Sequence, residues 1–399
     1  MSYIQLPTIS YKKNIVNNIH FLYSKTLPPH PYANKTLYSY LTTIKCEIDN
    51  CQLEWDKYKK YMNTYEYIHT PVSRSLHSVC KLTPLSRSYY KMIEMSHILS
   101  IVDELPSTAN TFHLAEGPGG FIEAIADMRK DNDGNYNSTD TYYGMTLIKD
   151  NDLSIPGWRK TSDFIKKCPN FVIEQGVDGT GDLTNIDNLV YCYEQYGNSI
   201  DLITGDGGFD FSVDFNSQEV ASSKLLFCQI AFAIAMQKKG GCFIIKFFDT
   251  FTKLSSEMIY LLTILYENIY IIKPCSSRQA NSEKYIVCKK FRIKDSRVLL
   301  HRLISAFHDI NRSDYLIQML NINIPYILSS KIEECNAICG QQQIECIAST
   351  LNLIDNNKYD KLEALKKNNV QKCKQWCQKY KLPYNKNIIA NNIFLQPKQ

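Results

Sequence analysis

An α/β fold, with a central sheet and helices on both faces, is what this sequence predicts, and three observations predict it. Between residues 76 and 293, short β-rich runs alternate with amphipathic helical stretches. One run, TFHLA at 111–115, passes straight into the glycine turn of EGPGG and then into a helical pattern, with Phe121, Ile122, Ile125 and Met128 at helical spacing. The last two runs, NIYIIKP and KYIVCKKF, are separated by a loop instead of a helix, which predicts a terminal antiparallel pair.

Taken in order, residues 1–75 are Tyr- and Lys-rich, broken by LPPHPY, and the apolar spacing of LYSYLTTIKCEIDNCQLEWDKYKKYMNTYEYI predicts a helical N-terminal region. Residues 76–293 form the α/β domain, with strands expected at TFHLA, YYGMTL, NFVIEQ, IDLITGD, GGCFIIKFF, NIYIIKP and KYIVCKKF. Residues 294–399 read as a helical, Asn- and Lys-rich C-terminal region ending in a short tail. No internal repeat or low-complexity block is present.

The 399 residues are 44% hydrophobic and 21% charged, an ordinary folded composition that excludes a disordered chain. The net charge of +5 is compatible with a polyanionic partner without requiring one. No apolar run is expected to span a membrane, since YLLTILYENIYII is broken by Glu267 and Asn268. No charged-then-apolar leader opens the chain, so no targeting peptide is expected. Fourteen scattered cysteines point to reduced thiols in a cytoplasmic or nuclear compartment.

The glycine turn, with Gly117, Gly119 and Gly120, allows close ligand approach at a helix N-terminus and suits a nucleotide-like ligand. An ordinary tight strand–helix turn is the alternative, because neither G-x-G-x-x-G nor a P-loop is present. Four further residues stand out. Lys91 lies on the helix of SRSYYKM, Asp206 ends the buried strand IDLITGD, Lys246 interrupts the apolar strand GGCFIIKFFD, and Glu283 opens the last strand in SSRQANSEKYIVCKKF. A lysine inside a buried strand is costly unless paired or neutral, and burial beside another cation is expected to depress its pKa toward neutrality. Singly, each of the four has an ordinary structural explanation; in this order and context they read as a site.

Together, Lys91, Asp206, Lys246 and Glu283 resemble the Lys-Asp-Lys-Glu tetrad of the FtsJ-like ribose 2′-O-methyltransferases, and AEGPGGF resembles their S-adenosylmethionine loop. YYGMTL, GDGGF followed by NSQE, KFFDTFT and KPCSSRQANSEKYIVCK resemble, in order, segments of the cap-specific mRNA 2′-O-methyltransferases of eukaryotes and large DNA viruses. The resemblance covers roughly residues 83–293. Glu116 departs from it, since many relatives carry a small residue there, as does Gln279, where proline is common.

The resemblance implies a Rossmann-like S-adenosylmethionine-dependent fold and methylation of a ribose 2′-OH near the cap of mRNA. Lys246 would deprotonate or orient the hydroxyl, Asp206 would fix Lys246, Lys91 would tune Lys246 and stabilise oxyanion charge, and Glu283 would hold either lysine. Ser86, Ala115, Glu116, Gly117, Pro118, Gly119, Gly120 and Phe121 would hold the donor, with Asp182 and Leu183 toward the adenine and Asp206 near the methyl group. Arg87, Asn216, Ser217, Gln218, Lys273, Arg278 and Asn281 would meet RNA, with Arg87 and Lys273 as phosphate contacts. No metal is needed for the transfer, and capped mRNA, with other capping or transcription proteins, would be the partner.

Other signals weigh less. Cys335, Cys339, Cys373 and Cys377 stand at helical spacing, and buried thiols explain them better than zinc. The basic stretch KLEALKKNNVQKCKQWCQKYK reads as a solvated helix face before an RNA contact. Two rival readings remain: a ribosomal or transfer RNA 2′-O-methyltransferase, and a non-catalytic subunit of a capping complex, against which the intact tetrad speaks.

Overall fold

The computed structural model describes residues 3–10, 13–72, 75–149, 152, 155–208, 216–310, 315–356 and 359–388. The second half of GDGGFDFS and the C-terminal tail lie outside these residues. Ten strands occur among them: β1 (Ile4–Gln5), β2 (Ile19–Ser24), β3 (Asn110–Leu114), β4 (Thr141–Met145), β5 (Phe171–Glu174), β6 (Ile200–Gly205), β7 (Gln237–Phe247), β8 (Tyr266–Ile272), β9 (Lys284–Phe291) and β10 (Tyr315–Leu320). Strands β3 to β9 coincide with the seven runs expected from the sequence.

Eight strands form one sheet in the order β1-β8-β9-β7-β6-β3-β4-β5. Strands β3 to β7 are mutually parallel, while β9 runs antiparallel between β7 and β8. Helices cover both faces, which is why β6, IDLITG, is buried at every residue and reads as a continuous apolar run. One face packs on helices Ile186–Tyr196, Gln218–Met236 and Lys253–Leu265, the other on Ser88–Leu99 and Gly120–Met128.

Two expectations change. The helical periodicity of the N-terminal region is realised in helices Lys35–Asp49 and Gln52–Met62. The terminal regions also contain strands: β1 adds to the sheet edge on β8, and β2 pairs antiparallel with β10 from the far end of the chain. A short apolar run such as YLIQML does not distinguish strand from helix until its partner is known, and the partner is some three hundred residues away. Secondly, one helix, Gln218–Met236, is long and apolar enough to cross a membrane by length and composition. It is the central core helix, buried from Leu226 to Met236 against the sheet.

The fold places one point of interest. Strand order reverses between β3 and β6, and in open parallel sheets the crevice at that point, at the carboxyl ends of the strands, is where ligands bind. The glycine turn follows β3 and Asp206 follows β6.

Candidate active site

Strand register assembles the site. Leu114 pairs with Gly205, Gly205 with Ile245, and Lys246 with Tyr285. The next positions, Ala115, Asp206, Lys246 and Tyr285, therefore stand in a row across β3, β6, β7 and β9. Glu283 lies two residues before Tyr285 and immediately precedes β9.

The side chains in that row are bonded to one another. Lys246 Nζ donates to the Asp206 carbonyl at 2.7 Å and stands 3.3 Å from Asp206 Oδ1. The Tyr285 hydroxyl donates to Asp206 Oδ1 at 2.8 Å. Lys91, reaching in from helix Ser88–Leu99, donates to both Glu283 oxygens, at 2.7 and 2.8 Å, and to the Tyr285 hydroxyl at 3.3 Å. Ser277 Oγ completes Glu283 at 2.7 Å. The four predicted residues are thus one buried network, and Tyr285 is the member that the sequence reading missed. Its signal was present in SEKY, since a residue two after Glu283 in a strand shares its face.

Electrostatics corrects the expected tuning of Lys246. Burial does work against its charge, but Asp206 first and Glu283 second outweigh it, so its pKa is raised above the ordinary 10.5. Lys91, the expected depressing cation, is neutralised by Glu283. Burial likewise opposes the charge on Glu283, yet Lys91 and Lys246 hold that carboxyl far below the usual range.

A cavity of about 940 Å³ opens onto this row. Of the residues expected to hold a donor, Ala115, Gly117, Asp182, Leu183 and Asp206 line it. The turn's geometry follows from its sequence: Ala115 and Gly119 have φ of 53° and 106°, and a Cβ at Gly117 would stand 2.6 Å from the Gly157 carbonyl. Ser86, Glu116, Pro118, Gly119, Gly120 and Phe121 lie behind the wall. Ser86 and Ser88 pack where a Cβ on Gly120 would be, and the Pro118 carbonyl accepts from Thr161 Oγ1 at 2.8 Å. Gly119 would present a Cβ to Leu85 and Trp158, not to the cavity. Phe121 is fully buried beside the Tyr285 ring. Glu116 is buried too; its Oε1 accepts the Phe121 N–H at 2.6 Å, and burial, then Asp206, raise its carboxyl well above the usual range. Through that bond it braces the turn. The lining set of glycine-turn backbone, an Asp182 carboxylate and an apolar Leu183 suits a ligand that is part nucleoside and part amino acid.

On the RNA side, Gln218, Arg278 and Asn281 line the cavity. Lys273 does not behave as a phosphate contact. Its ammonium donates to Asn281 O at 2.7 Å, Asn281 Oδ1 at 3.0 Å and Glu283 O at 2.8 Å, which occupies all three donors. Burial pushes its pKa down to about 8. Arg87 is also tied inward, to Ser276 O at 3.3 Å, and Arg278 forms a two-pronged pair with Glu66 at 2.7 and 3.1 Å. Asn216 Nδ2 lies 3.5 Å from Cys46 Sγ, and Ser217 opens helix Gln218–Met236.

These contacts explain what SSRQANSE encodes. Glu94 accepts from Cys275 N, Ser276 N and Ser276 Oγ at 2.7 to 3.1 Å. Gln343 donates to Ala280 O at 2.9 Å, and Ser282 Oγ to Gln218 Oε1 at 2.9 Å. The loop is pinned along its whole length, so Asn281 and Glu283 are held rigidly over the cavity. NSQE and KFFDTFT are joined in the same way: Glu219 accepts from Thr252 N, Thr252 Oγ1 and Ser255 Oγ at 2.6 to 2.8 Å and so holds Thr252, which caps helix Lys253–Leu265.

The discounted cysteines fall on two helices, Cys335 and Cys339 on Tyr326–Asn356 and Cys373 and Cys377 on Tyr359–Lys379. Among the described residues, no three His, Cys, Asp or Glu side chains are grouped as metal ligands.

Residues 84–291 match the FtsJ-like methyltransferase family. The chain is 36% identical over 177 residues to the cap-specific mRNA (nucleoside-2′-O-)-methyltransferase 1 of Trypanosoma cruzi (strain CL Brener), covering 44% of this chain and 46% of that protein. It is 33% identical over 205 residues to the Homo sapiens protein of the same name, covering 50% and 24%, and 27% identical over 316 residues to that of Dictyostelium discoideum, covering 73% and 41%. The chain spans less than half the length of each of these relatives. With the matched segment enclosing the glycine turn, the switch-point crevice and all four members of the Lys91, Asp206, Lys246 and Glu283 network, the chain belongs to the FtsJ-like methyltransferase family.

Proposed function

We propose that this protein transfers a methyl group from S-adenosylmethionine to the ribose 2′-OH of the first transcribed nucleotide of capped mRNA. The observation that carries the reading is the network of Lys91, Asp206, Lys246 and Glu283, joined through the Tyr285 hydroxyl and opening onto a cavity shared with the glycine turn. The names of the relatives support the choice of mRNA cap over other RNA.

When bound, the donor supplies an electrophilic methyl on a sulfonium, so the protein's task is alignment and management of one proton. Ala115, Gly117, Asp182 and Leu183 would hold it. Lys246 receives the acceptor proton, and Asp206 fixes it from both carbonyl and carboxylate. Held at this site, the donor would add a positive charge that opposes a second one on Lys246 and so would favour the neutral, proton-accepting form of that lysine. Glu283 keeps Lys91 in place, and Lys91 acts through the Tyr285 hydroxyl to which it donates and which in turn donates to Asp206.

The test is methyl transfer from labelled donor to RNA bearing an N7-methylguanosine cap, with uncapped and structured RNA alongside, followed by nuclease mapping. Label on the first transcribed nucleotide is expected. Label confined to internal riboses of structured RNA would replace this reading by one of ribosomal or transfer RNA modification.

A further inference from the structure

The cavity is not walled by the family-matched segment alone. Helix Gln52–Met62 lies outside residues 84–291, yet Gln52, Trp55, Asp56 and Lys59 line the same cavity as Asp206, Lys246 and Glu283. Their spacing of i, i+3, i+4 and i+7 is one face of a helix, so the helix turns a complete stripe toward the site. The preceding helix, Lys35–Asp49, adds Lys45 and Ile48.

This wall is seated firmly on the elements that carry the site. Trp55 packs with Ile48 and Ile347, against which Ala280 of the pinned loop also packs. Lys45 pairs with Asp249 of KFFDTFT at 3.0 Å, and Glu66, just beyond the helix, holds Arg278. A helix fixed at these points is positioned relative to Asn281 and Glu283 and does not drift in solvent. The polar chemistry it presents is an amide at Gln52, which both donates and accepts, and an ammonium at Lys59, whose partner is Asp56 one turn earlier. A side-chain amide suits a base edge, and an ammonium suits a phosphate.

We propose that this face of helix Gln52–Met62 is part of the RNA-binding site and holds the strand next to the acceptor nucleotide, with Lys59 meeting a phosphate and Gln52 a base edge. The inference rests on the reading of the site as a ribose methyltransferase. It assigns a recognition role to a segment outside the matched domain. It also makes the two ends of the Asp56–Lys59 pair opposite in sign: Lys59 attracts RNA, whereas Asp56 both repels it and occupies Lys59.

The experiment uses the full chain and a short RNA with an N7-methylguanosine cap, and measures the RNA Kd across salt concentration, the Kd for S-adenosylhomocysteine and the Tm. Lys59→Ala should weaken RNA binding several-fold and reduce the salt slope by about one. Asp56→Asn should tighten RNA binding, and Gln52→Ala should weaken it with the salt slope unchanged. Donor affinity and Tm should stay at wild-type values in all three. Losses of similar size in Lys59→Ala and Asp56→Asn, accompanied by a lower Tm, would reduce the pair to a structural contact and overturn the proposal. So would RNA binding by Lys59→Ala with wild-type affinity and slope. Wild-type protein that neither binds nor methylates the capped RNA would instead remove the parent reading, and this inference with it.

Discussion

The Tyr285 hydroxyl donates to Asp206 Oδ1 at 2.8 Å while accepting from Lys91 Nζ at 3.3 Å, so one phenol joins the two halves of the site. Burial, then Asp206, keep that phenol protonated at any working pH, and it is a fixed donor. Tyr285→Phe preserves shape and removes the link. A hydrogen bond to a charged group is worth about 1.5–3 kcal/mol, so kcat should fall about 10- to 100-fold, with KM for RNA and the Kd for S-adenosylhomocysteine changed by less than about threefold. Equal losses in kcat and donor affinity would mean that Tyr285 shapes the pocket and does not position Asp206.

Lys246 yields a prediction in pH. Asp206 and Glu283 raise its pKa above 10.5 in the free protein, and kcat/KM for the donor, measured at subsaturating RNA, reports that free form. If Lys246 accepts the proton, kcat/KM should climb about tenfold per pH unit from about pH 7 to 9.5 with no plateau. Lys246→Ala should remove about 10² to 10⁴ of the rate, and Lys246→Arg should not restore it, because a guanidinium does not lose its proton in this range. A flat profile, or an active arginine variant, would leave Lys246 with orientation alone.

The two turn glycines should separate. Gly117 lines the cavity and has no room for a Cβ, which would meet the Gly157 carbonyl at 2.6 Å. Gly117→Ala should therefore lose most donor affinity by calorimetry with S-adenosylhomocysteine. Gly119→Ala meets only ordinary contacts but must adopt φ near 106°, so it should lower stability by about 1–3 kcal/mol and leave donor affinity within a few-fold. The reverse order would mean that the donor lies on the other side of the turn.

Lys273→Ala tests a residue whose role the structure reassigns. Its three donors hold Asn281 and Glu283, so methyl transfer should fall sharply while the salt slope of RNA binding stays at the wild-type value. A slope reduced by about one would return Lys273 to the phosphate contacts.

Acid should loosen the latch between Glu66 and Arg278. Burial disfavours the Glu66 charge, but hydrogen bonding and attraction from Arg278 hold its carboxyl at about 2, below the ordinary 4.5. A depressed carboxyl stabilises the fold in full above its unfolded pKa and loses that contribution as pH falls through the folded one. The shift corresponds to about 3 kcal/mol. Glu66→Gln should therefore unfold at lower urea than wild type, by a margin that is constant above about pH 5 and narrows below it. A margin independent of pH would assign the stabilisation to packing.

Much of this protein was legible in order of residues alone. Alternating runs placed β3 to β9, because buried parallel strands are continuous apolar segments and their helices carry a 3.6-residue period. Lys246 stood out since a cation in such a strand demands partners, and Asp206 and Glu283 did so by sitting at strand ends. What the sequence could not carry is direction and partnership. Tyr285 looks like any core aromatic until register sets it beside Lys246. Lys273 and Arg278 look like free cations until folding brings Asn281 and Glu66 within reach. The sign of the Lys246 shift depends on whether burial or two carboxylates wins, a balance of distances that no spacing along the chain records. The strands β1, β2 and β10, and the seating of the predicted N-terminal helix against the cavity, are defined by contacts hundreds of residues apart, so only the tertiary structure decided them.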